Sequence, residues 1–171
     1  MSVYWITGLS GAGKSTVAAA LYERLKCIES VVLLDGDSLR EVFGDDIGYT
    51  YVDRKKSAMR NSRLCKLISD QNISVICATI SMFDVVRAWN RENILDYCEI
   101  YLNTPMELLY RRDQKKLYSR ALLGQITNVL GVDMPFEEPK KPDVVILNDG
   151  VLTPEAIVEQ IIANRVLYER N

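Results

Sequence analysis

The sequence predicts an α/β fold, a parallel sheet of five strands with helices on both faces. Three observations carry this. Short apolar runs alternate with longer stretches of helical periodicity along the whole chain. Most of these runs are apolar throughout rather than every second residue, as strands buried on both faces require. A glycine-rich stretch, Gly8 to Thr16, follows the first run and opens the first helix, as strand, loop and helix do in a parallel sheet.

Val3-Tyr4-Trp5-Ile6-Thr7 reads as the first strand. A helix is expected from about Ser15 to Cys27, with Val17, Leu21 and Leu25 on one stripe. Val31 to Leu34 reads as the second strand and ends at Asp35-Gly36-Asp37. A long helix is expected from about Val52 to Asp70, with Met59, Leu64, Leu67 and Ile68 as its apolar face. Ser74 to Thr79, Cys98 to Leu102 and Val144 to Leu147 read as the remaining strands. Thr104-Pro105-Met106-Glu107 combines an N-cap, a proline at the first helical position and a glutamate at the third. Thr153-Pro154-Glu155 opens the last helix similarly, and Val158, Ile161, Ile162 and Val166 give it a face to dock.

Residues 111–142 break the rhythm. The segment is charged, carries Gly124, Gly131, Pro135, Pro139 and Pro142, and has no strong strand. A connection this long is usually functional in a compact domain, and in a phosphoryl-transfer enzyme it would be a lid that excludes water.

The 171 residues suit one domain, 1–171, with one core. No apolar run approaches the roughly 20 residues of a membrane helix. Met1 to Thr7 is too short for a signal peptide, so the expected compartment is cytoplasmic, with no membrane partner. Cys27, Cys65, Cys77 and Cys98 are scattered and expected to be reduced, mostly buried thiols. There is no histidine. A proton acceptor must therefore be a carboxylate, Lys, Tyr, Cys or water, and a zinc site is not expected. The net charge of −2 argues against a nucleic-acid polymer as partner.

Gly8, Gly13, Lys14 and Ser15 fit G-x-x-x-x-G-K-[ST], between a strand and a helix. The loop Gly8, Leu9, Ser10, Gly11, Ala12, Gly13, Lys14, Ser15 and Thr16 is therefore the candidate nucleotide site. Its glycines let backbone N–H groups turn toward the β-phosphate, at a helix N-terminus that adds partial positive charge. Lys14 reaches the β- and γ-phosphates, and the Ser15 hydroxyl can ligate Mg²⁺. A switch GTPase would need Asn-Lys-x-Asp, which is absent. Asp45-Asp46-Ile47-Gly48 fits only the short D-x-x-G pattern, and no acidic residue closes the strand at Val75 to Thr79. A small-molecule kinase fits better than a motor or switch.

Asp35-Gly36-Asp37 lies where the second strand ends, on the edge that faces the ligand crevice in open α/β sheets. One carboxylate can order Mg²⁺ and its waters, and the other can accept a proton from the acceptor hydroxyl. Asp37 is the candidate base, with Asp35 second. Both could instead be caps of the following helix. Arg40, Arg54, Arg60, Arg63, Arg87 and Arg91 follow, and several in one cleft would suit a substrate that already carries phosphate.

Further stretches narrow the reading. They are Trp5 to Thr16, Leu34 to Asp37, Ile47-Gly48-Tyr49 with Asp53-Arg54, Ile80-Ser81, Glu99-Ile100-Tyr101, Arg112-Asp113 with Leu117-Tyr118, and Phe136 to Pro139. In this order they resemble adenylylsulfate kinase, over residues 4 to about 143. The resemblance implies a P-loop kinase fold, ATP as phosphoryl donor, Mg²⁺, a mobile lid over about 111–142, and phosphorylation of the ribose 3′-hydroxyl of adenylyl sulfate. It implies that Arg40 and Arg54 hold the 5′-anhydride and that Ile80 and Ser81 lie in the acceptor pocket. It also implies that Tyr49 stacks on the base, and that Arg111, Arg112, Lys115 and Lys116 act from the lid. Dimers are common in that family, so a homodimer is the implied assembly, although no apolar stripe in the sequence demands one.

The departures gather on the acceptor side. Ser38 stands where the family has Asn, and Lys56-Ser57 where it has Asn after Asp-Arg. Asp84 stands where it has Arg, and Val129 where it has the Phe that stacks opposite the residue matching Tyr49. A base stacked on an aromatic ring is worth about 1–3 kcal/mol, so losing one partner weakens adenine binding roughly 5- to 150-fold. Asp84 would also repel an anion if it faced the pocket. The donor machinery is intact and the acceptor pocket is altered. Adenylyl sulfate, the family's acceptor, is the leading reading; the alternative is a pyrimidine relative, cytidine diphosphoramidate, the acceptor of kinases in the wider family that serve capsule sugar modification, or another nucleotide on the same fold. A non-catalytic ATP sensor is a third reading, against which an intact Asp35-Gly36-Asp37 argues.

Overall fold

The computed structural model describes residues 1–44 and 46–168, with side chains placed as far as Arg165. Asp45 and the Val166 side chain, both used in the sequence reading, lie outside the described residues. Five parallel strands, β1 (Val3–Thr7), β2 (Val31–Asp35), β3 (Ser74–Ala78), β4 (Tyr97–Asn103) and β5 (Val144–Leu147), form one sheet in the order β2-β3-β1-β4-β5.

The helices are α1 (Lys14–Leu25), α2 (Gly36–Phe43), α3 (Tyr51–Ser69), α4 (Asp84–Asn93), α5 (Met106–Arg112), α6 (Leu117–Leu122) and α7 (Pro154–Tyr168). Side chains of β1 alternate between two cores. Tyr4 and Ile6 face α1 and α7, packing with Leu21, Ile100, Ile146 and Ile161. Val3 and Trp5 face α3 and α4, packing with Ala58, Cys65, Phe83 and Val86. Burying both faces explains why β1 is apolar throughout. At the sheet edge this cover ends, and Val145 and Leu147 of β5 are each 57% exposed.

The expected apolar face of the long helix needs correction. The buried residues of α3 are Ala58, Asn61, Ser62 and Cys65, while Leu67 is 59% exposed. Met59 and Ile68 only flank the second core. Small side chains let α3 approach the sheet closely, so size misidentified the inner face. The expected helix start at Thr104 also shifts. Pro105 keeps an extended backbone, α5 begins at Met106, and the buried Thr104 hydroxyl reaches the Ala12 carbonyl instead of capping. Thr153 does cap α7, accepting from the Ala156 amide. Helices α4 and α6 are additions to the sequence reading, while α2 is the helix it placed after Asp35-Gly36-Asp37 without bounds. Three of the four thiols are buried and all four are free.

Every loop that leaves a strand's carboxyl end gathers on one edge of the sheet, where ligands bind in this architecture. The central strands set that edge, so their packing is the support of the site. Ile100, fully buried beside Ile6, should lose about 2–5 kcal/mol of urea unfolding free energy on Ile100→Ala. The exposed Leu95 should change by less than about 0.5 kcal/mol on Leu95→Ala.

Candidate active site

The loop after β1 is shaped by contacts that only glycine allows. A Cβ at Gly13, whose φ is +91°, would lie 2.8 Å from Asn148 Nδ2. A Cβ at Gly8 would meet the Leu102 carbonyl at 2.7 Å. Four consecutive carbonyls of this loop are each tied to a side chain. Leu9 O accepts from Lys14 Nζ (2.7 Å), Ser10 O from Tyr118 Oη (2.8 Å), Gly11 O from Arg112 Nη1 (2.9 Å) and Ala12 O from Asn148 Nδ2 (2.7 Å). The Ala12 N–H donates to Leu9 O at 3.2 Å, and with these carbonyls occupied the other loop N–H groups are its polar surface, which suits an anion.

Lys14 is buried. Burial pushes its ammonium down to about 8, against the pull of the Asp35 and Asp37 carboxylates. Asp35 caps α2, accepting from the Asp37 amide at 2.9 Å, and it also accepts from Ser15 Oγ at 2.5 Å. The capping reading is therefore correct for Asp35 and leaves its second oxygen beside Ser15. These are hard oxygen donors of the kind Mg²⁺ takes. No group of three or more His, Cys, Asp or Glu that could hold a metal occurs among the described residues. An ion here would complete its shell with phosphate oxygens and water, as Mg²⁺ usually does.

A cleft of about 770 Å³ runs from this loop to the far wall. Its lining takes in Ser10, Gly11 and Gly13 to Thr16 of the loop, the carboxylates of Asp35 and Asp37, and Arg40, Tyr49, Arg54, Ile80 and Val129. Asp37 is exposed and its carboxylate accepts from Lys115 Nζ at 2.8 Å. That hydrogen bond and charge raise the Lys115 ammonium, although water screens so exposed a pair.

The far wall is built from arginines held by carbonyls. Arg40 Nη1 donates to Ile47 O (2.6 Å) and Gly48 O (3.1 Å). Arg54 donates from Nε to Tyr49 O (3.1 Å) and from Nη2 to Asn128 O (2.8 Å). Their guanidinium carbons lie 4.3 and 5.4 Å from the centre of the exposed Tyr49 ring. Burial, then the neighbouring Arg40 charge, pushes the Arg54 guanidinium below its ordinary value. Asp133 accepts from the amides of Asn128 (2.7 Å) and Val129 (2.6 Å) and fixes the turn that Arg54 grips.

Several expected site residues stand elsewhere. Ser81 is fully buried and off the cleft wall. Asp84 is also off the wall, paired with Arg87 and with Lys140 at 2.9 Å, so its charge is spent there rather than on an anion in the cleft. Among the lid residues, Lys115 lines the cleft, Arg112 grips the loop from outside, and Arg111 and Lys116 do neither. Gly8, Leu9 and Ala12 shape the loop without facing the cleft. The sequence reading missed Gln114, Arg120, Asn61 and Asn148. Only Arg120 carried a signal, as a further cation inside the lid segment.

A family profile described as adenylylsulphate kinase matches residues 1–147. The cytidine diphosphoramidate kinase of Campylobacter jejuni is 42% identical over 96% of both chains. The adenylyl-sulfate kinase of Halothermothrix orenii is 40% identical over 89% of this chain and 83% of its own. A solved structure of the Mycobacterium tuberculosis APS kinase in complex with AMPPNP and APS superposes with a TM-score of 0.87 at 33% identity. It covers 96% of this chain and 97% of its own.

Burial of Lys14 has a consequence for pH. Phosphate favours the charged ammonium, and the free protein loses that charge above about pH 8. Mg-ATP binding should therefore take up a proton at pH 9 and none through Lys14 at pH 7, and its Kd should rise with pH across that interval. Calorimetry in buffers of differing ionisation enthalpy measures the uptake. Lys14→Met should abolish it.

Proposed function

The chain belongs to the adenylylsulfate kinase family, and on that premise we propose that it moves the γ-phosphoryl group of Mg-ATP to the ribose 3′-hydroxyl of a nucleotide carrying a 5′-anhydride. Membership makes it a phosphotransferase with an alcohol acceptor. The observation that supports the fuller reading is the shared cleft. The glycine-rich loop, the Arg40 and Arg54 pair and Asp37 all line the same space.

In this reading Lys14 and the loop N–H groups hold the β- and γ-phosphates. Ser15 and Asp35 would hold Mg²⁺, which supplies charge neutralisation across the phosphate oxygens. Arg40 and Arg54 hold the acceptor's anhydride in place of their present carbonyl partners. Asp37 accepts the 3′-hydroxyl proton as that oxygen bonds to the γ-phosphorus and the bond to ADP breaks. Lys115 leaves Asp37 for the transferring phosphoryl group, whose charge it offsets. The segment 111–142 acts as the lid.

We favour cytidine diphosphoramidate as the acceptor, with adenylyl sulfate second. Val129 offers no ring opposite Tyr49, so the pocket gives a purine less stacking. The C. jejuni cytidine diphosphoramidate kinase also aligns over nearly all of both chains.

Lys14→Ala and Asp37→Asn should each lower acceptor-dependent ADP release strongly, the latter by about 10²- to 10⁴-fold, the range of general-base catalysis. Near-normal turnover by Asp37→Asn would remove Asp37 as the base. ADP release that is equal with and without any nucleotide acceptor would favour a simple ATPase or an ATP sensor.

A further inference from the structure

Five cations line the cleft, Lys14, Arg40, Arg54, Lys115 and Arg120. The protein itself engages the first four. Lys14 donates to the Leu9 carbonyl, Arg40 to those of Ile47 and Gly48, and Arg54 to those of Tyr49 and Asn128, while Lys115 pairs with Asp37. Arg120 differs. Its exposed side chain has no hydrogen bond or ion pair among the described residues. To take an oxyanion it gives up only water, whereas each of the others must release a carbonyl or a carboxylate.

Local structure sets Arg120 on the cleft side of α6. Tyr118 is buried in the first core, with its hydroxyl on the Ser10 carbonyl. Leu117 and Arg120, three positions apart on one helix face, both line the cleft. After the helix the Gln125 N–H donates to the Arg120 carbonyl at 2.9 Å and turns the chain back. The following stretch, Ile126 to Val129, lines the cleft as well. Segment 111–142 therefore holds the candidate base through Lys115, and the Asn128 carbonyl holds Arg54. Arg120 lies between these contacts in the chain and opens into the same space.

We propose that Arg120 binds the 5′-anhydride of the acceptor nucleotide, as a third guanidinium beside those of Arg40 and Arg54. The donor triphosphate has the loop N–H groups, Lys14 and Mg²⁺ to neutralise it. The acceptor anhydride has two arginines that are already engaged, so a cation without a partner adds most there. The inference rests on the nucleotide-acceptor reading above.

The test is calorimetric binding of adenylyl sulfate and of cytidine diphosphoramidate to enzyme saturated with Mg-ADP. For whichever binds, Arg120→Gln should weaken affinity roughly 10- to 150-fold, the value of a hydrogen bond to a charged group. The loss should shrink as salt rises, because the contact is ionic and open to water. Arg120→Lys keeps the charge without the fork and should fall between the two proteins. Mg-ADP affinity and melting temperature should match the wild type, since the side chain has no protein partner to lose. Unchanged acceptor affinity in Arg120→Gln overturns the proposal and makes Arg120 a solvated surface charge. An equal loss of Mg-ADP affinity also overturns it, by moving Arg120 to the donor. Both results leave the kinase reading standing. Failure of the wild-type protein to bind either acceptor overturns that reading and this inference together.

Discussion

The structure depends on where four carbonyl groups point. Leu9, Ser10, Gly11 and Ala12 each give their carbonyl to a side chain, from Lys14, Tyr118, Arg112 and Asn148 respectively. A short loop with these carbonyls engaged is left with N–H and hydroxyl groups to offer a ligand. The donors come from far apart in the chain. Asn148 follows β5, and Arg112 and Tyr118 flank the turn that begins the lid segment. The glycine-rich loop, the sheet edge and the start of segment 111–142 are therefore one hydrogen-bonded unit. Lys14 completes it as a buried cation, which the loop tolerates because Asp35 and Asp37 stand nearby and triphosphate would satisfy it more fully.

The turn at 113–116 shows what that attachment holds in place. Asp113, Lys115 and Lys116 all have positive φ, at 35°, 59° and 53°. Such backbone costs a non-glycine residue roughly 1–2 kcal/mol and persists only where its surroundings fix it. Here the Asp113 carboxylate accepts from the Tyr118 and Ser119 amides, at 2.9 and 3.1 Å, and Lys115 reaches Asp37. The chain is bent at the point where segment 111–142, the glycine-rich loop and the candidate base meet. The opposite wall follows the same logic, with Arg40 and Arg54 resting on carbonyls that an anionic ligand can replace.

Much of this was legible in the sequence, and the exceptions have physical causes. The five strands were readable because each is a short apolar run, and the loop because its residue types admit few alternatives. The inner face of α3 was not readable, since Ala58, Ser62 and Cys65 pack by smallness while larger Leu67 lies outside. Ser81 and Asp84 sit where a family pattern can be recognised but a side chain's direction cannot. Asp84 turned out to serve the start of α4, paired with Arg87 and Lys140. Asn148 and Asn61 carry no motif at all. One is defined by a carbonyl that lies 136 positions away in the chain, the other by the lack of any donor. Sequence patterns report periodicity and motifs, and both asparagines owe their place to three-dimensional proximity alone.

The central claim is that donor and acceptor share one cleft and that the phosphoryl group lands on a ribose 3′-oxygen. Phosphorus NMR of the product formed from Mg-ATP and cytidine diphosphoramidate, with adenylyl sulfate run in parallel, tests it most directly. The account expects a new phosphomonoester resonance coupled to the ribose 3′-proton, with the 5′-anhydride intact. A product phosphorylated on the 5′-chain, or inorganic phosphate as the sole new species, would contradict it.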